Sequence, residues 1–267
     1  SYDLSATLLE TRKHKNAEEI TVLAYAPEFS ETSRTNYSMA GLALRSDDLV
    51  SLPGARKEVE YVGDIFNSLA RLGKDASESS FKQEAANFSI LHLATHSIVN
   101  ESDADYSKLV FSDGDDNEDG FLHAFELINL HLNADLVTLS ACNTGVGKIE
   151  EGEGVMSLAR SFRSAGVPSV VMSLWPASDK STPELMRHFY ENLSKGQPKD
   201  LALANAKRAY LAAAQGKARN PFFWGGFVLI GDNSPIGKDR NTIMWLLPLI
   251  IVVSLTLVVY KRKSGVA

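Results

Sequence analysis

The length, composition and charge of the chain describe one globular domain with a short appendage. Of its 267 residues, 44% are hydrophobic and 22% are charged, which is ordinary for a domain that buries a sizeable core. The net charge of −6, with no basic face carrying interleaved aromatic residues, argues against a nucleic-acid-binding protein. The single cysteine excludes a disulfide within the chain and zinc sites of the CxxC type.

Strand and helix patterns alternate along the chain. Short apolar runs bounded by turn residues indicate buried strands, and apolar residues at helical spacing indicate helices. In chain order the patterns predict a strand at 20–25, a loop at 28–48, a helix between Pro53 and Leu69, a short helix at 81–86, a strand at 88–96, a short strand at 109–111, an acidic turn at 113–120 and a helix at 125–132. They then predict a strand at 136–140, a helix at 154–165, a strand at 169–174, helices at 182–193 and 200–214, and a last strand at 223–230. Strands that alternate with helices imply an α/β fold with a mostly parallel sheet covered by helices on both faces.

Two of the predicted buried strands end in chemically reactive side chains. One apolar run leads to His96, and another leads to Cys142, the only cysteine of the chain. If the two strands are neighbours in a parallel sheet, about 4.8 Å apart, both side chains emerge at the same edge. The 46 residues that separate them leave room for the crossover that parallel strands require. This arrangement predicts a Cys-His dyad, in which the histidine converts the thiol into its nucleophilic thiolate.

The residues alone leave a second interpretation of this pair open. A single buried cysteine usually serves as a small hydrophobic side chain. His92, which lies two pleats before His96 in the same strand, indicates that this strand accepts histidines in the core. From the pattern alone, a catalytic dyad and a purely structural role for His96 and Cys142 are both possible.

Segments that resemble cofactor or metal motifs lack residues that those motifs require. The segment 144–148 resembles the end of a phosphate-binding P-loop, but Cys142 occupies the position of its first glycine and Ile149 replaces the Mg-binding hydroxyl. The acidic turn at 113–120 begins like a calcium loop, but Glu118 replaces the obligatory glycine. No GxSxG motif of serine hydrolases is present. We therefore expect no cofactor and no bound metal.

The C-terminal segment differs in kind from the rest of the chain. Residues 243–260 carry no charge, and as a helix of about 27 Å they are long enough to cross a hydrocarbon core. Trp245 and Tyr260 lie near the two ends of this segment, as aromatic residues do at membrane interfaces. We expect a transmembrane helix here, with a linker at 233–242 before it and a basic tail at 261–267 after it.

Several segments resemble, in the same order, those of the CHAT domain family, which comprises caspase-like cysteine peptidases usually attached to tetratricopeptide repeats. The matching segments are 93–96 (LATH), 135–145 (DLVTLSACNTG), 152–155 (GEGV), 161–162 (SF), 165–166 (AG), 170–176 (VVMSLWP) and 220–232 (NPFFWGGFVLIGD). The resemblance implies a caspase-haemoglobinase architecture for residues 1–232 and tetratricopeptide repeats upstream of them. The chain begins at Ser1 without methionine, so we expect a piece of a longer protein that lacks the opening segment of the domain.

The resemblance also assigns roles to the residues of the predicted dyad. It implies that Cys142 attacks the scissile carbonyl, with His96 as its base and later as the acid for the leaving amine. The backbone N–H groups of Ser97 and Cys142 would hold the oxyanion. Related peptidases commonly have glycine after the histidine, whereas Ser97 stands here and retains the N–H but not the conformational freedom of glycine.

Two acidic residues are candidates for lining the substrate pocket. Glu153 follows Cys142 in a loop, and Asp179 follows the strand that ends at Trp175. For each of them, a helix cap or a solvated charge is the alternative. The expected function is that of a membrane-anchored cysteine endopeptidase that cleaves protein or peptide substrates. The alternative is a catalytically silent caspase-like module that serves protein contacts at the membrane.

Positive charges near the predicted span indicate its orientation. Three of them follow the span at 261–263, whereas Lys238 and Arg240 precede it. Because lysine and arginine favour the cytoplasmic side, we expect the tail in the cytoplasm and the catalytic domain on the extracytoplasmic side. The alternative is a tail-anchored protein whose domain lies in the cytoplasm.

Overall fold

The computed structural model describes five stretches of the chain. They are residues 19–29, 52–100, 103–112, 118–140 and 153–237, without the side chains of 153–155. Cys142 and the predicted transmembrane segment at 243–260 lie outside these described residues, as does the basic tail at 261–267.

Strands and helices alternate through most of the described chain. The strands are β1 (Thr21–Ala26), β2 (Asn67–Leu72), β3 (Ile90–Leu93), β4 (Ser97–Ile98), β5 (Lys108–Val110), β6 (Phe121–His123), β7 (Leu136–Leu139), β8 (Ser169–Ser173) and β9 (Phe227–Gly231). The helices are α1 (Pro53–Ile65), α2 (Glu78–Glu84), α3 (Ala124–Leu127), α4 (Glu153–Ser164), α5 (Thr182–Ser194) and α6 (Lys199–Ala213).

Six of the strands form one sheet in the order β2-β1-β3-β7-β8-β9. All neighbours in it are parallel except β8 and β9, which are antiparallel. The predicted α/β class with a mostly parallel sheet is therefore confirmed. The chain steps outward from β1 to β2 and then returns to the other side of β1 with β3. Such a reversal is the place where open α/β sheets bind ligands, beyond the carboxyl ends of the strands.

Helices bury both faces of this sheet. One face packs against α2, α3 and α4, with side chains such as Leu91, Val137 and Met172 pointing into that core. The opposite face packs against α1, α5 and α6, with Ile90 and Val171 among its buried side chains. Because neighbouring residues of a strand point to opposite faces, both cores demand apolar residues, which explains the continuous apolar runs of the central strands.

A second, smaller sheet leaves the main one directly after β3. It consists of β4, β5 and β6 in this order, with antiparallel pairing throughout. The sequence pattern predicted a strand here only at 109–111. Strands of two or three residues carry too few side chains for a periodic pattern, so pairing with β5 defines β4 and β6.

Several predicted elements have wrong bounds, among them the strand predicted at 88–96, which ends at Leu93, and the helix predicted at 81–86, which is Glu78–Glu84. Leu69 lies in the edge strand β2 rather than in the preceding helix, which ends at Ile65. The residues of β2 are half-buried or exposed, so this strand lacks the apolar run of a central strand. The helix predicted at 125–132 is only the four residues of α3. The last strand begins at Phe227 because Pro221–Phe223 form a turn of 3-10 helix.

No helix within the described residues has both the length and the apolar character to cross a membrane. The segment at 243–260, for which a span was predicted, lies outside those residues.

Candidate active site

The two strands that lead to the predicted dyad are neighbours. β3 and β7 are paired in parallel, with His92 opposite Thr138 and Leu93 opposite Leu139. The Ser140 N–H, directly after β7, donates to the Leu93 carbonyl at 3.1 Å and completes the last pair of this ladder. The predicted neighbourhood of the two strands is therefore confirmed.

His96 lies just beyond β3 and is held by the small sheet. The Val110 N–H of β5 donates to the His96 carbonyl at 2.9 Å. The hydroxyl of Thr95 donates to the Val110 carbonyl, so β5 fixes two consecutive residues after the strand. The residue is 6% exposed, and the imidazole centroid lies 5.3 Å from that of Phe29, which follows β1. His96 thus lies at the carboxyl edge of the sheet, close to the reversal between β1 and β3.

The other predicted site residues are described to different extents. Ser97 is buried in β4 opposite Leu109. Glu153 is the first residue of α4, and its side chain lies outside the described atoms. Cys142 is not among the described residues, so its distance from His96 stays a prediction.

Asp179 binds the beginning of a helix. Its Oδ1 accepts a hydrogen bond of 2.9 Å from the Gly54 N–H in the first turn of α1. A Cβ at Gly54 would lie 2.2 Å from the Asp179 carbonyl oxygen, so glycine permits the close approach. This contact realises the capping alternative for Asp179, because it satisfies an N–H that no residue within the helix can pair. One carboxylate oxygen is therefore engaged in structure.

Four buried polar side chains connect two strands with two helices. The Tyr190 hydroxyl of α5 donates to Thr138 Oγ1 of β7 at 3.0 Å and lies 2.9 Å from His92 Nδ1 of β3. His92 Nε2 lies 3.3 Å from Glu58 Oε2 of α1. All four residues are at most 3% exposed. We call them the tyrosine network.

The hydrogen bonds of the tyrosine network determine where its protons lie. Burial raises the pKa of Tyr190 far above its usual range and outweighs the hydrogen bond to Thr138, which lowers it, so the phenol stays neutral. Because this hydroxyl donates its proton to Thr138, His92 Nδ1 donates to the hydroxyl. His92 Nε2 and Glu58 Oε2 then face each other, and neither has a hydrogen-bond partner elsewhere among the described residues.

A second polar group lies on the opposite side of the sheet. The Lys82 ammonium of α2 is 2.8 Å from Glu78, 2.9 Å from Glu118 and 2.8 Å from Glu126 of α3. Burial alone would lower the pKa of Lys82, but the three carboxylates raise it above its usual value. We call these four residues the lysine cluster.

The lysine cluster is also where carboxylates meet closely enough to hold a cation. One oxygen from each of Glu78, Glu118 and Glu126 lies within 4.8 Å of the others. The ammonium of Lys82 already supplies positive charge at the meeting point. Each of the three carboxylates is therefore already paired with a cation, the Lys82 ammonium.

Sequence reasoning found neither group of residues. It placed His92 in the core, which is confirmed, but the partner Tyr190 lies 98 positions away in the chain and no motif links the two. The lysine cluster left one local trace, the spacing of Glu78 and Lys82 as an i,i+4 pair on α2. Its other carboxylates come from distant segments and could be brought in only by the fold.

Comparisons with known proteins identify the family of the chain. The family model described as "CHAT domain" matches residues 1–232. Tetratricopeptide repeat protein 28 of mouse and its human counterpart are each 30% identical to the chain over 123 residues. This alignment covers 46% of the chain but only 5% of those relatives, so the chain spans a small part of their length.

Two solved structures have a fold similar to that of this chain. The Arg-specific cysteine proteinase gingipain R is similar with a TM-score of 0.55 at 9% identity, covering 89% of this chain and 52% of its own. A complex of the pro- and mature domains of RgpB from Porphyromonas gingivalis is similar with a TM-score of 0.50 at 10% identity, covering 88% and 52%. At these identities the likeness concerns the fold alone. Because the family model covers most of its length, the chain belongs to the CHAT domain family.

Proposed function

We propose that this chain is a cysteine endopeptidase domain in which His96 and Cys142 form the catalytic dyad. Membership of the CHAT family and a fold similar to that of gingipain R support a peptidase. Both comparisons concern the domain as a whole. The assignment of His96 and Cys142 as the catalytic residues depends instead on the two strands that lead to them.

The register of β3 and β7 is the observation that carries this proposal. His92 is paired with Thr138, and four positions further along each segment the sequence reaches His96 and Cys142. Paired parallel strands lie about 4.8 Å apart. If the pairing extends for those four positions, the two residues face each other across neighbouring strands, within reach of a thiol and an imidazole.

The proposed mechanism assigns each proton. His96 removes the proton from the Cys142 thiol, and the thiolate attacks the carbonyl carbon of the scissile peptide. The backbone N–H groups of Ser97 and Cys142 bind the oxyanion. His96 then protonates the leaving amine as the C–N bond breaks, which leaves a thioester on Cys142. Water deprotonated by His96 hydrolyses that thioester and restores the thiol.

Glu153 and Asp179 are proposed to line the substrate pocket. Asp179 would do so with one carboxylate oxygen, since the other accepts from Gly54. The proposal for Glu153 depends on its position at the start of α4, the first helix after Cys142 along the described chain.

Alkylation by iodoacetamide tests the dyad directly, because Cys142 is the only cysteine. We expect the wild-type thiol to react well below pH 8.5, and His96→Ala to shift the reaction to the ordinary thiol pKa of about 8.5. His131→Ala is a matched control, because this histidine is exposed and lies outside the strands. In parallel, Cys142→Ala and His96→Ala should each lower cleavage of a denatured protein by several orders of magnitude.

Two results would overturn the proposed dyad. One is an alkylation profile that His96→Ala leaves unchanged, and the other is equal cleavage by the wild type and Cys142→Ala. Either would favour a catalytically silent module used for protein contacts.

We also propose that residues 243–260 anchor the domain to a membrane, with the domain on the extracytoplasmic side and tetratricopeptide repeats upstream. The uncharged segment and the basic residues after it support the anchor, and the named relatives support the repeats. Protease added to intact cells or spheroplasts that express the full-length protein should digest the domain. Digestion only after lysis would place the domain in the cytoplasm instead.

A further inference from the structure

The Tyr190 hydroxyl binds β3 and β7 at the same level of the sheet. Its two partners, His92 and Thr138, are opposite each other in the strand pairing. One hydroxyl therefore connects the two strands through side chains, at distances of 2.9 and 3.0 Å, in addition to the backbone ladder. These are the strands that lead to His96 and Cys142.

Neighbouring side chains hold this hydroxyl in place from two sides. The Tyr190 ring packs edge-on against Phe66 and against His92, with centroid distances of 6.2 and 5.5 Å. Glu58 of α1 faces the far nitrogen of the His92 ring at 3.3 Å, so a polar side chain lies at each end of the imidazole. A fully buried group with such partners has little freedom to move, because each displacement would leave a polar atom unpaired.

We propose that Tyr190 is a positioning residue: by joining His92 to Thr138 it sets the spacing of β3 and β7, and with it the distance between His96 and Cys142 four positions further on. This inference rests on the proposed dyad. Tyr190 itself acts through the strands and has no part in bond making.

The physical reason is that proton transfer in a dyad tolerates little misplacement. Displacing reacting groups by about 1 Å can cost on the order of a hundredfold in rate. Only three residues of each segment separate the tyrosine network from the site, and Leu93, Ala94, Leu139 and Ser140 among them are buried. A change of strand spacing at the network is therefore transmitted over a short distance.

The test compares Tyr190→Phe with Tyr210→Phe in the full chain. Tyr210 is also buried, and its hydroxyl donates to the Ala218 carbonyl at 3.2 Å, away from β3 and β7. We expect Tyr190→Phe to slow iodoacetamide alkylation of Cys142 at pH 6 by on the order of tenfold or more and to move its pH profile upward. Tyr210→Phe should leave that profile unchanged. Where peptidase activity is measured, kcat should fall for Tyr190→Phe while KM stays similar.

A second pair of variants guards against misfolding of Tyr190→Phe. Thr138→Val removes the acceptor and should slow alkylation, whereas Thr138→Ser retains a hydroxyl and should restore it. If His96→Ala slows alkylation but Tyr190→Phe and Thr138→Val do not, positioning by Tyr190 is refuted and the dyad stands. If none of the three variants changes the profile, the dyad itself fails, and the positioning role fails with it.

Discussion

The two faces of the main sheet bury polar groups in opposite ways. The tyrosine network lies under the sheet centre, is almost completely buried, and consists of hydrogen bonds among neighbouring strands and helices. The lysine cluster lies between α2 and α3 on the other face, and its residues other than Glu78 retain 21–29% of their side-chain exposure. It combines one ammonium with three carboxylates.

The difference follows from what burial costs. Moving an ion out of water costs several kcal/mol even after the protein relaxes, whereas a neutral group that keeps its hydrogen bonds costs far less. A fully buried position between two central strands therefore accommodates a phenol, a hydroxyl and an imidazole that form hydrogen bonds with one another. A net negative cluster is tolerated where water still reaches most of its members.

The largest effect should come from removing the cation of the lysine cluster. Lys82→Met leaves three carboxylates within 4.8 Å of one another without a counter-charge. Because Glu78 is 1% exposed, we expect the free energy of unfolding at pH 7 to fall by about 3 kcal/mol, measured by urea denaturation. Lys57→Met, on the exposed side of α1, should change stability by less than about 0.5 kcal/mol. Equal effects of the two variants would mean that the cluster stores no appreciable interaction energy.

A smaller effect is expected within the tyrosine network. Thr138→Val removes one hydrogen-bond acceptor with little change of shape, so we expect a loss of about 1 kcal/mol. Combined with Tyr190→Phe, the double variant should be less destabilised than the sum of the single variants, because both remove the same hydrogen bond. Strict additivity in this double-mutant cycle would show that the two hydroxyls do not interact.

The smallest effect should appear as a pH dependence of the lysine cluster. Burial raises the pKa of Glu78 above its ordinary 4.5, and the ion pair with Lys82 only partly offsets this. The folded state therefore binds this proton more readily than the unfolded chain does. The wild type should gain stability relative to Glu78→Gln as the pH falls through the raised pKa, and the gain should be complete below about 4.5. A difference that shrinks on acidification would mean that Glu78 has a lowered pKa instead.

The central part of the fold was predictable from the sequence because burial on both faces leaves a clear trace. The apolar runs before Ser140 and His96 marked β7 and β3, and their similar design indicated that the two strands are neighbours. The edge strand β2 was missed because it is half exposed, and β4 and β6 of the small sheet were missed because they are too short.

The side-chain partners at the site could not be predicted in the same way. Asp179 and Gly54 belong to segments 125 positions apart, and Tyr190 meets His92 only once α5 packs on the sheet. Such pairs depend on where along the strands each helix residue is placed. Periodicity indicates which face of a helix is buried, but it does not give this position. The sequence therefore indicated candidate site residues at the edge of the sheet, but not the side chains that hold them in place.

The pairing pattern of the main sheet has a kinetic consequence. Among the described strands of this sheet no two form a hairpin: Val137 of β7 pairs with Val170 of β8, and Ile90 of β3 pairs with Leu136 of β7. Each such pairing closes a long loop. The chain loses conformational entropy when the loop closes, before the contacts between the strands can compensate for that loss. The small sheet lies inside the connection from β3 to β7, so its folding shortens the loop that must close. Assembly of the small sheet should therefore precede the meeting of these strands, and the edge that carries His96 should be completed late in folding.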